Sequence, residues 1–252
     1  MSDAKQTDLG TLRQRLALIE RGRRGETSAL PFGVEAIDAA LPGGGLVRGA
    51  LHEVLGLGAA EEEGAEGAGF LAGFLARLEP GRPVLWCLRR GDLHAPGLAL
   101  YGLAPERLIL ARAHSESELL WAMEEGLKCR ALAAVVGEVE GLPLTASRRL
   151  QLAAETSGLC AFALRRRQRS APVGSEAQPT AAVTRWRIAS CPSRLTSEPG
   201  LGRPLWLMEL LRCRGGGTAR WMVEACDEAG HVHLAPALAD RPAAQEPLRA
   251  AS

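Results

Sequence analysis

Lysine is almost missing from this chain. Only Lys5 and Lys128 occur in 252 residues, so 28 of the 30 basic residues are arginine. With heavy Ala and Gly use, that bias reads as the imprint of a GC-rich genome more than as selection for phosphate binding. Net charge is also scarce: +1 at pH 7 excludes a uniformly basic nucleic-acid coat and leaves only local patches. No C-x-x-C pair occurs among Cys87, Cys129, Cys160, Cys191, Cys213 and Cys226. The common metal and redox spacings are thereby excluded, and reduced thiols in a cytoplasmic protein are expected. No secretory apolar segment opens the chain and no apolar run reaches about 18 residues, so neither export nor membrane spanning is expected. Aromatic residues make up 4%; Trp86, Trp186, Trp206 and Trp221 fall in strand-like runs and are expected in the core. The remaining composition, 46% hydrophobic and 23% charged, suits one sizeable globular core.

What is present is organised around residues 46–78. Leu51-His52-Glu53-Val54-Leu55 reads as a strand, Gly56 to Gly69 as a glycine-rich loop, and Phe70 to Leu78 as a helix. Phe70/Phe74 and Leu71/Leu75/Leu78 recur at helical spacing and give that helix an apolar face for a sheet. Strand, glycine loop and helix form the architecture that cradles phosphate, with loop amides and the helix N-terminus facing the anion. Gly56, Gly58, Gly64, Gly67 and Gly69 are the candidate cradle glycines. The chemistry of the motif G-x-x-x-x-G-K-[ST] is absent, however. Ala68, Phe70 and Leu71 surround the last glycines, and the loop carries Glu61, Glu62, Glu63 and Glu66. Carboxylates there would repel a triphosphate by about 1 kcal/mol or more per close pair. No cofactor is expected.

Residues 8–22 read as an amphipathic helix with the stripe Leu9, Leu12, Leu16 and Ile19, followed by a polar linker to residue 28. Such a helix either folds back on its own domain or docks on another subunit. Beyond the cradle, strands at Val84–Leu88, Leu108–Leu110, Ala131–Val136 and Leu159–Leu164 alternate with helices at Glu116–Lys128 and from a cap at Thr145 to Gly158. That alternation predicts a parallel α/β sheet. Arg165, Arg166, Arg167 and Arg169 then open a loop, to residue 182, without apolar periodicity and expected to be mobile. Val183–Ile188, Leu205–Arg212, Arg220–Ala225 and a short His231–Leu234 follow as strands, with Gly215-Gly216-Gly217 marking a hairpin in an antiparallel meander. The core is thus expected over residues 29–239, with a disordered tail at 240–252. His231-x-His233 has metal-like spacing but reads as a strand edge. His114-Ser115-Glu116 lacks the setting of a nucleophile, and Arg107 and Arg112 read as ordinary surface.

The ordered set Gly33, Val34, Ile37, Asp38, Leu41, Gly43, Gly44, Gly45, Leu46 and Gly49 before the cradle strand resembles the lead-in segment of the RecA-like recombinases and ATPases. The resemblance implies an α/β, RecA-like P-loop-NTPase-type core: a parallel central sheet flanked by helices, a C-terminal antiparallel meander and a degenerate nucleotide site. Other ATPase parts depart from the pattern. The metal-holding carboxylate should follow the apolar strand Leu132–Val136, where Gly137 stands; Glu138 is one place late and points to the opposite face. The second core strand leads into Arg89 and Arg90, with Asp92 its first acid. Three degraded elements together predict that hydrolysis is lost. The Arg165–Arg169 run falls where RecA relatives carry a DNA-binding loop, so DNA contact is a candidate role. No Tyr or Phe lies there to stack bases.

The N-terminal leucine stripe, the decayed cradle and the ending Leu205-Trp-Leu-Met-Glu-Leu-Leu-Arg-Cys-Arg-Gly-Gly with Trp221-Met-Val-Glu224 together resemble the ImuA family over roughly residues 8–240. That resemblance implies a non-enzymatic accessory protein of SOS-induced translesion synthesis. Its partners would be ImuB (an inactive Y-family polymerase relative), RecA and, indirectly, an error-prone C-family polymerase, with DNA possible and no membrane. Two alternatives stay open at this point: an active RecA-like ATPase with an unorthodox phosphate loop, and a cell-division inhibitor of the SulA type acting on FtsZ.

Overall fold

The computed structural model describes residues 29–57, 65–166, 178–192 and 203–235. The leucine stripe, Arg167, Arg169, Gly58, Gly64 and the C-terminal tail lie outside the described residues.

Among the described residues, alternating strands and helices build one nine-stranded sheet. Its strands are β3 (Leu51–Leu57), β4 (Val84–Leu88), β5 (Leu108–Arg112), β6 (Ala134–Val139), β7 (Cys160–Arg165), β8 (Thr184–Cys191), β9 (Leu205–Cys213), β10 (Ala219–Glu224) and β11 (His233–Leu234), in the order β11-β10-β9-β8-β3-β7-β6-β4-β5. From β8 to β5 every pairing is parallel, and from β8 to β11 every pairing is antiparallel. This is the parallel core with an antiparallel C-terminal meander that the strand pattern implies, and it is a RecA-like arrangement. The cradle strand β3 sits in the middle. A separate ribbon of β1 (Ala29–Leu30) and β2 (Leu46–Val47) frames the lead-in segment, which contains the single-turn helix α1 (Glu35–Asp38).

Two apolar layers cover the sheet. On one face, helix α2 (Ala65–Arg77) brings Phe70 and Phe74 against Phe32, Phe162 and Trp186. The lead-in motif explains how Phe32 gets there: the Asp38 carboxylate accepts hydrogen bonds from the backbone of Phe32 (2.7 Å) and Gly33 (3.0 Å), folding the chain into the core. Gly45 permits the same crossing, since a Cβ there would stand 2.5 Å from the Leu30 carbonyl oxygen. On the other face, α4 (Glu116–Leu127) and α5 (Leu144–Ser157) bury Leu119, Met123, Leu127 and Leu150. The small helix α3 (Ala95–Leu98) follows β4 on the α2 side.

Several sequence-based boundaries shift. The strand expected at Ala131–Val136 begins at Ala134 and runs on through Gly137 and Glu138. Thr145 lies inside the first turn of α5, whose N-cap is Pro143. Ser115 instead caps α4, accepting from Glu118 N–H at 3.1 Å while the Glu118 carboxylate takes the His114 N–H. Arg107 is not ordinary surface. Its guanidinium donates to the carbonyls of Leu75, Ala76, Leu78 and Glu79 at the end of α2, satisfying acceptors that a helix C-terminus leaves open.

His52 on β3 has no exposed surface, and its polar atoms form a closed chain. Val47 O can only accept, so His52 Nε2 donates to it at 2.8 Å. Nδ1 then accepts from Thr184 Oγ1 at 2.8 Å, and that oxygen accepts from Trp186 Nε1 at 2.9 Å. Burial dominates over the Val47 hydrogen bond and holds the imidazole neutral, down to about pKa 4. Because the folded value lies below the usual 6.5, the unfolded chain binds the extra proton, and stability falls as pH drops from about 6.5 to 4. The loss attributable to this group should approach roughly 3 kcal/mol by pH 4. Denaturant melts at stepped pH should show a shallower acid decline for His52→Gln than for the parent; equal slopes would refute the assignment.

Candidate functional site

At the C-terminal ends of the parallel strands, beside the first turn of α2, lies a cleft of about 410 Å³. Its lining includes Ala65, Ala68, Leu98, Leu100, Tyr101 and Leu164, with Asp92, Glu138 and Arg166 as charged members. This is where a phosphate cradle would open, and side chains close much of it. Gly67 and Gly69, read from sequence as loop glycines, are buried residues of α2 itself. A Cβ on Gly67 would lie 2.7 Å from Leu164 Cδ1, and one on Gly69 would lie 2.9 Å from the Tyr101 ring. Both glycines therefore serve close packing of the helix, not an anion. Gly56 belongs to β3 and pairs with Ile188 of β8.

The charge of the cleft is settled internally. Arg166 follows β7 and donates from Nη1 to Glu138 Oε2 at 2.9 Å and to Asp92 Oδ1 at 2.7 Å, and from Nη2 to Asp92 Oδ2 at 2.9 Å. The other Glu138 oxygen accepts from Trp86 Nε1 at 2.9 Å. The Arg166 hydrogen bond is the main reason that the Asp92 carboxyl is held below its usual range. Burial works against the Arg166 charge, but the bonds to Asp92 and Glu138 outweigh it and raise its pKa. The strand position expected to carry the metal-holding acid is instead a packing position. Gly137 faces α4, and a Cβ there would stand 2.1 Å from Met123 Sδ. No carboxylate fits on that side of the strand. Glu138, one residue on, is the group that faces the cleft and the start of α2, and it is 5% exposed.

Arg165 does not present itself to phosphate, contrary to the loop reading. It is buried, and its guanidinium lies 3.3 Å from Glu53 on β3, a carboxylate with no exposed surface. Arg185 Nε (2.7 Å) and Thr180 Oγ1 (2.9 Å) complete the shell of Glu53. The last residues of the loop expected to be mobile are held in place, although β8 begins only at Thr184. Residues 178–182 are strapped to the sheet by Arg185 to Gln178 O (2.7 Å), Arg212 to Thr180 O (2.7 Å) and Arg214 to Ala181 O (2.8 Å). The period-two pattern of β8 already put Arg185 opposite Trp186; what it could not reveal was the buried acid awaiting it. Trp121 on α4, 59% exposed, also escaped the sequence reading, because the apolar face of that helix lies elsewhere.

Six thiols are free; burial alone pushes Cys87 up to about 12, and Cys160, chiefly through burial, reaches the same value. Among the described residues no group of three or more His, Cys, Asp or Glu is arranged to hold a metal ion. His231 lies just before the edge strand β11 and His233 opens it, both beside a turn built on Asp227, with His233 Nε2 3.1 Å from Asp227 Oδ2. No described helix is long and apolar enough to cross a membrane.

Sheet order and cleft together define a RecA-like α/β protein in which an arginine and two carboxylates occupy the mouth of the cradle. Among known proteins, Protein ImuA of Caulobacter vibrioides strain NA1000 / CB15N is 43% identical over 219 residues, covering 84% of this chain and 89% of that protein. Protein ImuA of strain ATCC 19089 / CIP 103742 / CB 15 matches to the same extent. The chain belongs to the ImuA family. No protein-family model matches it.

Removing Arg166 would leave Glu138 buried and uncompensated, which costs about 3–5 kcal/mol for a buried pair. Arg166→Ala should therefore lower stability strongly, and Arg166→Ala combined with Glu138→Gln should recover much of the loss. A double-mutant cycle by denaturant melts checks the pair, and strict additivity would show that it is not coupled.

Proposed function

We propose that the chain is a non-catalytic, RecA-like accessory protein of SOS-induced, error-prone translesion DNA synthesis. It holds an ImuB-type inactive relative of the Y-family polymerases, RecA, or both, and an error-prone C-family polymerase joins indirectly. The observation that carries the non-catalytic part is the Asp92–Arg166–Glu138 cluster. A guanidinium already satisfied by two carboxylates stands where a nucleotide site needs a free cation and a metal-holding acid. Packing of Gly67 and Gly69 against Leu164 and Tyr101 supports the same conclusion. Family membership supports the setting. A fold without its nucleotide chemistry is then kept for its surfaces, and the stripe Leu9, Leu12, Leu16 and Ile19 is the partner-binding element of this reading. Arg165 and Arg166 have no part in DNA contact on this reading, since they are committed to Glu53, Asp92 and Glu138.

Calorimetric titration of ATP with Mg²⁺ into the purified chain should give no binding heat at millimolar nucleotide. A micromolar dissociation constant would overturn the non-catalytic reading and restore the ATPase one. Deleting residues 1–25 should abolish capture of the ImuB-type partner or of RecA in a pull-down with purified components. Intact binding to both would remove the stripe from the mechanism.

A further inference from the structure

The outer surface of α4 and α5 exposes large apolar side chains beside a groove. Trp121 on α4 is 59% exposed and Leu152 on α5 is 61% exposed. They stand over two hollows, of about 250 and 490 Å³, that meet at the Glu124–Arg149 ion pair in the groove between the helices. Along the exposed ridge of α4 the order is Glu118, Trp121, Glu125, spaced so that all three share one helix face. That helix carries four glutamates and no base. Arg89, Arg149 and Lys128 pair with three of them, and among the described residues no cation pairs with Glu118. On that outward face, a tryptophan flanked by Glu118 and Glu125 suits an apolar stripe with basic flanks, whereas the hollow beside Leu152 is lined by Lys128, Arg130 and Arg149 and suits the leucines alone.

The chain supplies such a stripe. Residues 8–24 hold Leu9, Leu12, Leu16 and Ile19 with Arg13, Arg15, Arg21, Arg23 and Arg24 against only Asp8 and Glu20. Read as a helix, Leu9 to Ile19 measures about 15 Å, close to the roughly 18 Å of α4. The reach also fits. The first described residue, Ala29, pairs with Val47, and a Cβ on Gly49 just beyond would lie 3.3 Å from Gly158 Cα at the end of α5. Leu152 stands only about 9 Å back along that helix. Residues 20–28, extended, span roughly 30 Å.

We propose that the chain's own N-terminal stripe, residues 9–19, is stowed in the groove between α4 and α5, its leucines against Trp121 and Leu152 and its arginines along the Glu118 ridge. This rests on the reading of the stripe as the partner-binding element and adds a closed state to it: a partner must compete with the groove for the same leucines. Stowage is tested on the isolated full chain, with no partner present, so its failure would leave the pull-down result standing.

The test is hydrogen exchange read by mass spectrometry on the full chain, on Trp121→Ser/Leu152→Ser, and on Leu12→Ser/Leu16→Ser. In the parent, amides of residues 9–19 should exchange at least roughly tenfold more slowly than an unprotected segment. Both double variants should lose that protection while their melting temperatures stay within a few degrees, because Trp121 and Leu152 are exposed. Unprotected amides in the parent would overturn the proposal. So would protection that survives Trp121→Ser/Leu152→Ser, which would put the stripe elsewhere. Protection that disappears on dilution would also overturn it, because a second copy would then be the host.

Discussion

A carboxylate with no exposed surface on the middle strand of a sheet is tolerated only if its charge is met at close range. Glu53 is such a group, and meeting its charge arranges much of what surrounds it. Arg165 comes from β7 on one side of β3 and Arg185 from β8 on the other, so one carboxylate bridges three neighbouring strands. Thr180 brings in the segment before β8, and Arg185 then holds the carbonyl of Gln178. The parallel half of the sheet and its antiparallel extension are joined through this cluster, while His52 on the opposite face of β3 closes a neutral network of its own.

A second bracing group repeats the logic nearer the strand ends. Arg166 ties the end of β7 to Glu138 on β6 and to Asp92 after β4. Consecutive arginines thus point to opposite faces of the sheet, as alternation along a strand requires, and each is consumed by an acid of the fold. The same edge in a phosphate-binding protein keeps its cations and acids for the ligand. Here they hold the strands to one another. The arginine bias that reads as genome composition is put to use at these positions, because a planar guanidinium can serve Asp92 through two parallel bonds and still reach Glu138, which an ammonium cannot.

Much of this was legible in the sequence. The alternation of strands and helices, the hairpin glycines and the lead-in motif were enough to give a parallel core with a C-terminal antiparallel meander, while the order that puts β3 in the middle came from the structure. The period of β8 separated Trp186 and Ile188 from Arg185 and Arg187, and the structure places these pairs on opposite faces. Failures came where the decisive partner lies far away in the chain. Gly67 and Gly69 look like loop glycines until Leu164 and Tyr101 are seen against them. Gly137 looks like a lost acid until Met123 is found filling its place. Arg165 looks like surface charge because Glu53 is more than a hundred residues earlier. A pattern of spacing reports which side of an element is apolar; it does not report which charge will be buried against which.

The Glu53 cluster also fixes both ends of one stretch of chain. Arg165, just before the segment that follows β7, and Thr180, just after it, bind the same carboxylate. Two points, each far along the chain from Glu53, thus meet on one buried carboxylate, so a change at Glu53 alone would release both anchors at once.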